Sequence, residues 1–306
     1  MQNTSNKINA GLLQAKCLIS KEDNLQNIVE LVNKYQIAAK SKLQLLVLPE
    51  LHNGPYFCQN QSPEQFQRAE SIPGTSTEIL AELARHNNLV IVASIFEKAL
   101  TGLYYNTAVV FDSNGDIVGK YRKMHIPHDP EYNEKYYFSP GDLGFKPVQT
   151  SIGKIGVLVC FDQWYPEAAR IMALQGAEIL VYPTAIGWCP EDIKEDKEKQ
   201  LNAWQTIQRS HGIANNVFVI SCNRAGLEEE EYPSNTQAPK KINFWGNSFI
   251  AGPQGEILNS LQTEENTIIA AELDLNLISK IRHVWQFFRD RRTDAYDLLL
   301  NKQGKS

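Results

Sequence analysis

The 306-residue chain contains no C-x-x-C pair. Its five cysteines, Cys17, Cys58, Cys160, Cys189 and Cys222, are odd in number and scattered, which excludes a disulfide framework and a zinc-finger spacing. No G-x-G-x-x-G or G-x-x-x-x-G-K-[ST] loop is present, so no Gly-rich cradle for a nucleotide or nicotinamide cofactor is expected. A Ser–His–Asp hydrolase would want a G-x-S-x-G elbow, and there is none. Long apolar runs are missing too. The longest, Leu89 to Phe96 (LVIVASIF), falls far short of the roughly 20 residues that cross a bilayer. Nor is there a basic excess: 30 Lys and Arg stand against 35 Asp and Glu, a net charge of -5. A nucleic-acid binder normally carries the opposite balance to neutralise phosphates. The opening MQNTSNKINA has no apolar segment of the secretory kind. The expectation is a soluble, cytoplasmic protein with neither nucleic acid nor membrane as partner.

What is present is an ordinary globular composition, 42% hydrophobic and 21% charged, in a chain long enough to bury a core without staples. No Pro/Gly/Ser-rich linker divides it, so residues 1–306 read as one domain with an ordered core over about 7–300. GLLQAKCLI, Gly11 to Ile19, reads as a strand with Leu13, Ala15, Cys17 and Ile19 on one face. Leu25, Ile28, Val29, Val32, Tyr35 and Ala39 then follow helical spacing. LQLLVLP, Leu43 to Pro49, is continuous apolar sequence, as in a strand buried on both faces. Thr75 and Glu78 fit a capping box before a helix. LVIVASIF is the next strand, and Asn114-Gly115 marks a hairpin between Tyr104–Phe111 and Ile117–Tyr121.

The second half replays this grammar, with a strand at Ile155–Phe161, a helix at Pro166–Gln175 and a strand at Ala177–Pro183. A helix over Asp196–Asn215, an extended Asn216–Cys222 and a hairpin turning at PQGE follow. The acidic stretch between Gly226 and Lys241 reads as a solvated loop, with a substrate lid as the alternative. The fold class is α/β, helix layers around extended sheet.

Ligands of open α/β sheets gather beyond the carboxyl ends of strands, which singles out three residues. Cys160 ends IGVLV where the chain turns toward a helix, and unpaired N–H groups there favour a thiolate. A buried structural cysteine is the alternative from position alone. Glu50, at the tip of LVLPE, could serve as a general base if burial raises its pKa, or be a solvated strand end. Lys123, in KYRKMHIP, could lower a cysteine pKa and stabilise an oxyanion, or be a surface strand end. Glu134, in PEYNEKYYF, is by itself a loop acid. His125, His128 and Asp129 raise a metal reading, but Pro127 disfavours a helix that would align the histidines and no third partner is evident; no metal is expected.

Taken together, these residues resemble the nitrilase superfamily of carbon–nitrogen hydrolases. The match lies in LLVLPEL around Glu50, GKYRKMHIP around Lys123 and GVLVCFDQWYPEAARIMALQGAEIL around Cys160. It extends through YPTAIGW, FWGNSFIAGPQGEIL and RDRRTDAY, roughly from Lys7 to Leu300. The resemblance implies an α-β-β-α sandwich of the four-layer type, paired into a homodimer or higher homo-oligomer. It implies Cys160 as nucleophile, Glu50 as general base, Lys123 as electrostatic stabiliser and Glu134 as the second glutamate that positions the others. Neither metal nor organic cofactor is implied.

The chemistry suits those residue types. A ureido carbon is a poor electrophile, and thiolate attack divides its hydrolysis into two easier steps through a covalent carbamoyl-enzyme. Lys123 and the backbone N–H of Phe161 would hold the developing oxyanion. The expected partner is a small carbamoyl-amine. Its free ammonium needs an anionic partner, because burying it unpaired costs several kcal/mol; Asp129, Glu131 and Glu191 are the candidates. Tyr56 and Trp164 would line the alkyl channel. The alternatives are the same chemistry on a ureidopropionate or an ω-amide, and a non-catalytic scaffold of the same fold kept for binding.

Overall fold

The computed structural model describes residues 6–233, 239–262 and 266–303. The first 122 residues supply β1 (Lys7–Gln14), β2 (Leu45–Val47), β3 (Val90–Leu100), β4 (Leu103–Phe111) and β5 (Ile117–Arg122). The rest of the chain supplies β6 (Val148–Thr150), β7 (Gly153–Val157), β8 (Ile179–Thr184), β9 (Gly187–Trp188) and β10 (Phe218–Asn223). Then follow β11 (Ala225–Glu229), β12 (Lys241–Trp245), β13 (Phe249–Ala251), β14 (Ile257–Ser260) and β15 (Thr267–Asp274). Two six-stranded sheets result, ordered β15-β1-β2-β3-β4-β5 and β14-β13-β10-β8-β7-β6, with a small sheet β11-β12-β9 beside them. Each large sheet is parallel at its centre and antiparallel at its flanks.

The sequence dictates this layering through period two. On β2 and β3, Leu45, Val47, Val90 and Val92 join an apolar cluster with Val157, Val181 and Ile220 of the opposite sheet. Their neighbours Leu46, Leu48, Ile91 and Ala93 join a different cluster, with Ile28 and Val32 of helix α1 (Lys21–Ala38) and Leu80 and Leu83 of α2 (Thr75–Asn87). Both faces are buried, so the strands read as continuous apolar sequence rather than alternation. A four-residue helix α3 (Glu134–Tyr137) lies between the halves. On the far side, Met172 of α4 (Pro166–Leu174) and Trp204 of α5 (Lys194–Asn215) are fully buried, and these helices pack against β7 and β10. The result is an α-β-β-α sandwich. A last helix, α6 (Asn276–Val284), follows β15. No helix among the described residues is long and apolar enough to cross a membrane.

Three local expectations are corrected. β1 starts at Lys7 and ends at Gln14, because all eight residues pair with β15, from Lys7 with Asp274 to Gln14 with Thr267. The chain then leaves the sheet; Ile19 is 80% exposed, and the Ser20 hydroxyl caps α1 by accepting from the Asp23 N–H. Thr75 and Glu78 do not form the box that caps α2. Gly74 is the cap, its N–H donating to Thr77 Oγ1 at 2.8 Å, and the Ser76 N–H donates to the Glu70 carboxylate at 2.9 Å. The acidic stretch after Gly226 is not simply a solvated loop, since its ends pair as β11 and β12, Glu229 opposite Lys241. Residues 234–238 of the stretch Gly226 to Lys241, for which a substrate lid is the alternative, lie outside the described residues. The hairpin at Asn114-Gly115 is as expected, with Gly115 taking the φ of +86° that the turn requires.

Candidate active site

Glu50 lies three residues beyond β2, Lys123 one beyond β5, and Glu134 opens α3. All three are fully buried. Lys123 Nζ donates to Glu50 Oε1 at 2.7 Å and to Glu134 Oε2 at 2.6 Å. Asn106 Nδ2, from β4, donates to the same Glu50 oxygen at 2.6 Å, and the Tyr56 hydroxyl donates to Glu134 Oε1 at 2.8 Å. Glu50 Oε2 has no hydrogen-bond partner although it is buried. Burial, then the charge of Glu50, raises the Glu134 carboxyl to about 7 against the pull of Lys123. The Lys123 ammonium is held well above its ordinary value by Glu134 and Glu50, which outweigh its desolvation.

Cys160 is not the last residue of a strand. β7 ends at Val157, and Cys160 opens a 3-10 turn, Cys160–Trp164, ahead of α4. Its φ is +42°, a left-handed conformation that costs a non-glycine residue about 1–3 kcal/mol. Asp162 over-determines the turn. Its Oδ2 accepts from the Val159 N–H at 2.9 Å and from the Tyr121 hydroxyl at 2.8 Å, and its Oδ1 accepts from the His125 N–H at 3.1 Å. One carboxylate thereby ties the cysteine turn to the segment that follows Lys123. The thiol donates to the Ala185 carbonyl at 3.6 Å.

The expectation of a favoured thiolate is overturned. Burial and the neighbouring Glu50 charge push the Cys160 thiol well up, and Lys123, engaged by two carboxylates, offsets only part of this. A thiol held up in this way needs a base to become the nucleophile.

Arg224, just after β10, escapes sequence reasoning. It is fully buried, and its guanidinium donates to the carbonyl oxygens of Glu50 (3.0 Å), Leu51 (2.9 Å) and Gly54 (2.7 Å). Leu51 has a φ of +50°, so the residue beside the glutamate is strained and clamped, as is the cysteine. Glu228, 2.7 Å from Arg224, neutralises it and accepts from the Tyr56 N–H at 2.7 Å.

A cavity of about 440 Å³ opens onto Cys160 and is lined by Phe161, Trp164, Asp129, Glu131 and Asp192, among others. Two expected substrate residues do not line it. Tyr56 is 1% exposed and packs against Tyr132 and Phe244, so its role is toward Glu134 rather than an alkyl channel. Glu191 is exposed, and its neighbour Asp192 takes the place expected for it. Asp129 is exposed at the rim, whereas Glu131 is half-buried and accepts from the Cys189 thiol at 3.5 Å. His125 stacks on Tyr165 with ring centroids 3.6 Å apart, and its Nδ1 lies 2.7 Å from Asp162; His128 is exposed. Among the described residues no three His, Cys, Asp or Glu side chains converge as a ligand set for a metal ion.

A buried glutamate, lysine and cysteine brought together in the loops and turn beyond the strands of an α-β-β-α sandwich define a hydrolase of carbon–nitrogen bonds. The chain belongs to the carbon-nitrogen hydrolase family, whose sequence profile matches residues 9–283. It is 41% identical over 302 residues to an N-carbamoylputrescine amidase of Oryza sativa subsp. japonica, covering 98% of this chain and 96% of that one. It is 38% identical over 295 residues to a citrullinase of Francisella tularensis, covering 96% and 99%. A solved carbon-nitrogen hydrolase from Helicobacter pylori G27 superposes with a TM-score of 0.91 at 46% identity, covering 97% of this chain and 99% of that one.

Proposed function

We propose that this enzyme hydrolyses N-carbamoylputrescine to putrescine, carbon dioxide and ammonia, a step in polyamine biosynthesis. The observation that carries the reading is the charge of the cavity. Asp129, Glu131 and Asp192 line it, and no Lys or Arg is among its described lining residues. That suits a ureido group whose other end is an ammonium. Citrulline, N-carbamoyl-β-alanine and ω-amide acids each carry a carboxylate, whose burial without a cation is costly.

In the mechanism, Glu50 Oε2, the unpartnered oxygen, takes the thiol proton as Cys160 Sγ attacks the ureido carbon. Lys123 and the Phe161 N–H stabilise the oxyanion. Glu50 returns the proton to the departing nitrogen, leaving a carbamoyl thioester, and then deprotonates the water that attacks it. When ammonia departs first, thioester cleavage frees the carbamate, which breaks down to carbon dioxide and putrescine. Glu134 accepts from the Lys123 ammonium and from the Tyr56 hydroxyl, and so positions Lys123 beside Glu50.

Initial rates on N-carbamoylputrescine, citrulline, N-carbamoyl-β-alanine and an ω-amide test the substrate. N-carbamoylputrescine should lead in kcat/KM by about tenfold or more, the scale of one well-made contact; a carboxylate-bearing substrate in the lead would overturn the reading. The enzyme is further proposed to work as at least a homodimer. Val284, Trp285, Phe287, Leu298, Leu299 and Leu300 leave apolar surface exposed along its C-terminal segment. Sedimentation at micromolar concentration should give at least twice the 34.6 kDa chain mass.

A further inference from the structure

Two polar residues interrupt an apolar face. Val92 of β3 and Ala108 and Val110 of β4 belong to the cluster between the large sheets, and by period two Ser94 and Asn106 stand in the same rows. Both are fully buried. Ser94 pairs across the ladder with Ala108, so Asn106, two residues along, is its diagonal neighbour on that face. Polar groups there cost stability unless they are partnered.

Their partners close a circuit through Glu50. The Leu51 N–H donates to Ser94 Oγ at 3.3 Å, the Ser94 hydroxyl donates to Asn106 Oδ1 at 2.8 Å, and Asn106 Nδ2 donates to Glu50 Oε1 at 2.6 Å. This order fixes the amide. A carboxylate paired with Lys123 only accepts, so the amide nitrogen must face it, which leaves the amide oxygen for the Ser94 hydrogen. The Asn106 main chain adds a second link, its carbonyl accepting from the Lys123 N–H at 2.9 Å. Glu50 Oε1 therefore receives both Asn106 and Lys123, whereas Oε2 has no partner.

We propose that Asn106, held in turn by Ser94, is a positioning residue that fixes the plane of the Glu50 carboxylate and leaves its other oxygen to take the thiol proton. This rests on Glu50 as the base of the mechanism above. With two donors on one oxygen, twisting the carboxylate would break both hydrogen bonds, so the second oxygen stays presented through both halves of the reaction. Proton transfer draws on that alignment in the transition state and substrate binding does not, so its loss falls on kcat rather than KM.

Asn106→Leu keeps the shape of the side chain and removes the donor. Its kcat should fall by about 10- to 100-fold, the worth of one hydrogen bond to a charged group, with KM within about twofold of native. Urea unfolding shows whether the protein assayed is folded. Ser94→Ala removes only the anchor of the amide and should lower kcat less, by about three- to tenfold. Because Ser94 acts through Asn106, the double variant should be no slower than Asn106→Leu alone. Losses that multiply in the double variant, a loss carried by KM, or an Asn106→Leu kcat within about threefold of native would overturn the proposal. Should Asn106→Leu fail to fold, Ser94→Ala decides: a lowered kcat at native KM supports the proposal, and a native kcat overturns it. Glu50→Gln tests the base separately. An inactive Glu50→Gln beside a near-native Asn106→Leu rejects the positioning role alone, whereas an active Glu50→Gln rejects the base. The comparison holds for whichever amide the enzyme turns over.

Discussion

Arg224 holds Glu50 by its backbone, one guanidinium nitrogen donating to the Glu50 carbonyl oxygen at 3.0 Å and to that of Leu51 at 2.9 Å. The glutamate side chain is thus free to face Lys123 while its main chain is fixed from behind.

Arg224→Met should expose the consequence. It strands the buried Glu228 carboxylate, and breaking a buried pair from one side costs about 3–5 kcal/mol. Arg224→Met combined with Glu228→Gln should regain much of that stability in urea unfolding, yet leave kcat low because the two carbonyls remain unheld. A stable double variant with native kcat would contradict the positioning role.

Cys160→Ser should keep the fold, since one oxygen replaces one sulfur and the strained backbone is unchanged, yet lose on the order of 10⁴-fold or more in kcat. A hydroxyl ionises far less readily than a thiol, and no histidine base is positioned here to help. Glu50→Gln should be as inactive, because an amide cannot take the thiol proton. Cys17→Ser, Cys58→Ser and Cys222→Ser should each stay close to the native rate. Steady-state kinetics with a thermal-unfolding control decide the matter.

For the ammonium end of the substrate, Glu131→Gln should raise KM for N-carbamoylputrescine more than Asp129→Asn does. Glu131 is half-buried in the cavity wall, whereas Asp129 is exposed at its rim and screened by water. A carbamoyl-alkylamine without the terminal charge should be nearly indifferent to either change. The pair acts on ground and transition states alike, so kcat should move little. A larger effect of Asp129→Asn would move the anchor to the rim.

Glu134 imposes a pH dependence on stability. Its carboxyl titrates at about 7 in the fold, raised chiefly by burial, against 4.5 when unfolded. Between those values the folded chain binds the extra proton, so this contribution is fully present below about 4.5 and is lost as pH rises through about 7. The unfolding free energy of the native protein relative to Glu134→Gln should fall with rising pH across that window. A difference that is flat, or that rises, would contradict the assignment.

Much of this was legible in the residues themselves. LQLLVLP and LVIVASIF announce strands buried on both faces, and the three motifs around Glu50, Lys123 and Cys160 meet in one place. What escaped reading depends on long-range partners. Nothing local says that β15 pairs with Lys7–Gln14 and so fixes where β1 begins. A run of four glutamates reads as solvated, yet Glu228 within it is buried because Arg224 is its partner. Tyr56 looks like a channel residue until Glu134, 78 positions away, accepts from its hydroxyl. The state of the Cys160 thiol follows from burial and from Glu50, which the strand-to-helix setting does not reveal.

The two-sided burial of β2 makes the placement of Glu50 discrete. A slip of one residue between β1 and β3 would exchange Leu45 and Val47 with Leu46 and Leu48, sending each set into the wrong layer. A slip of two would restore the layers but carry Glu50 roughly 6–7 Å along the strand axis, beyond reach of Lys123. The carboxylate therefore has one workable register, and misalignment of this strand abolishes the site rather than degrading it by degrees.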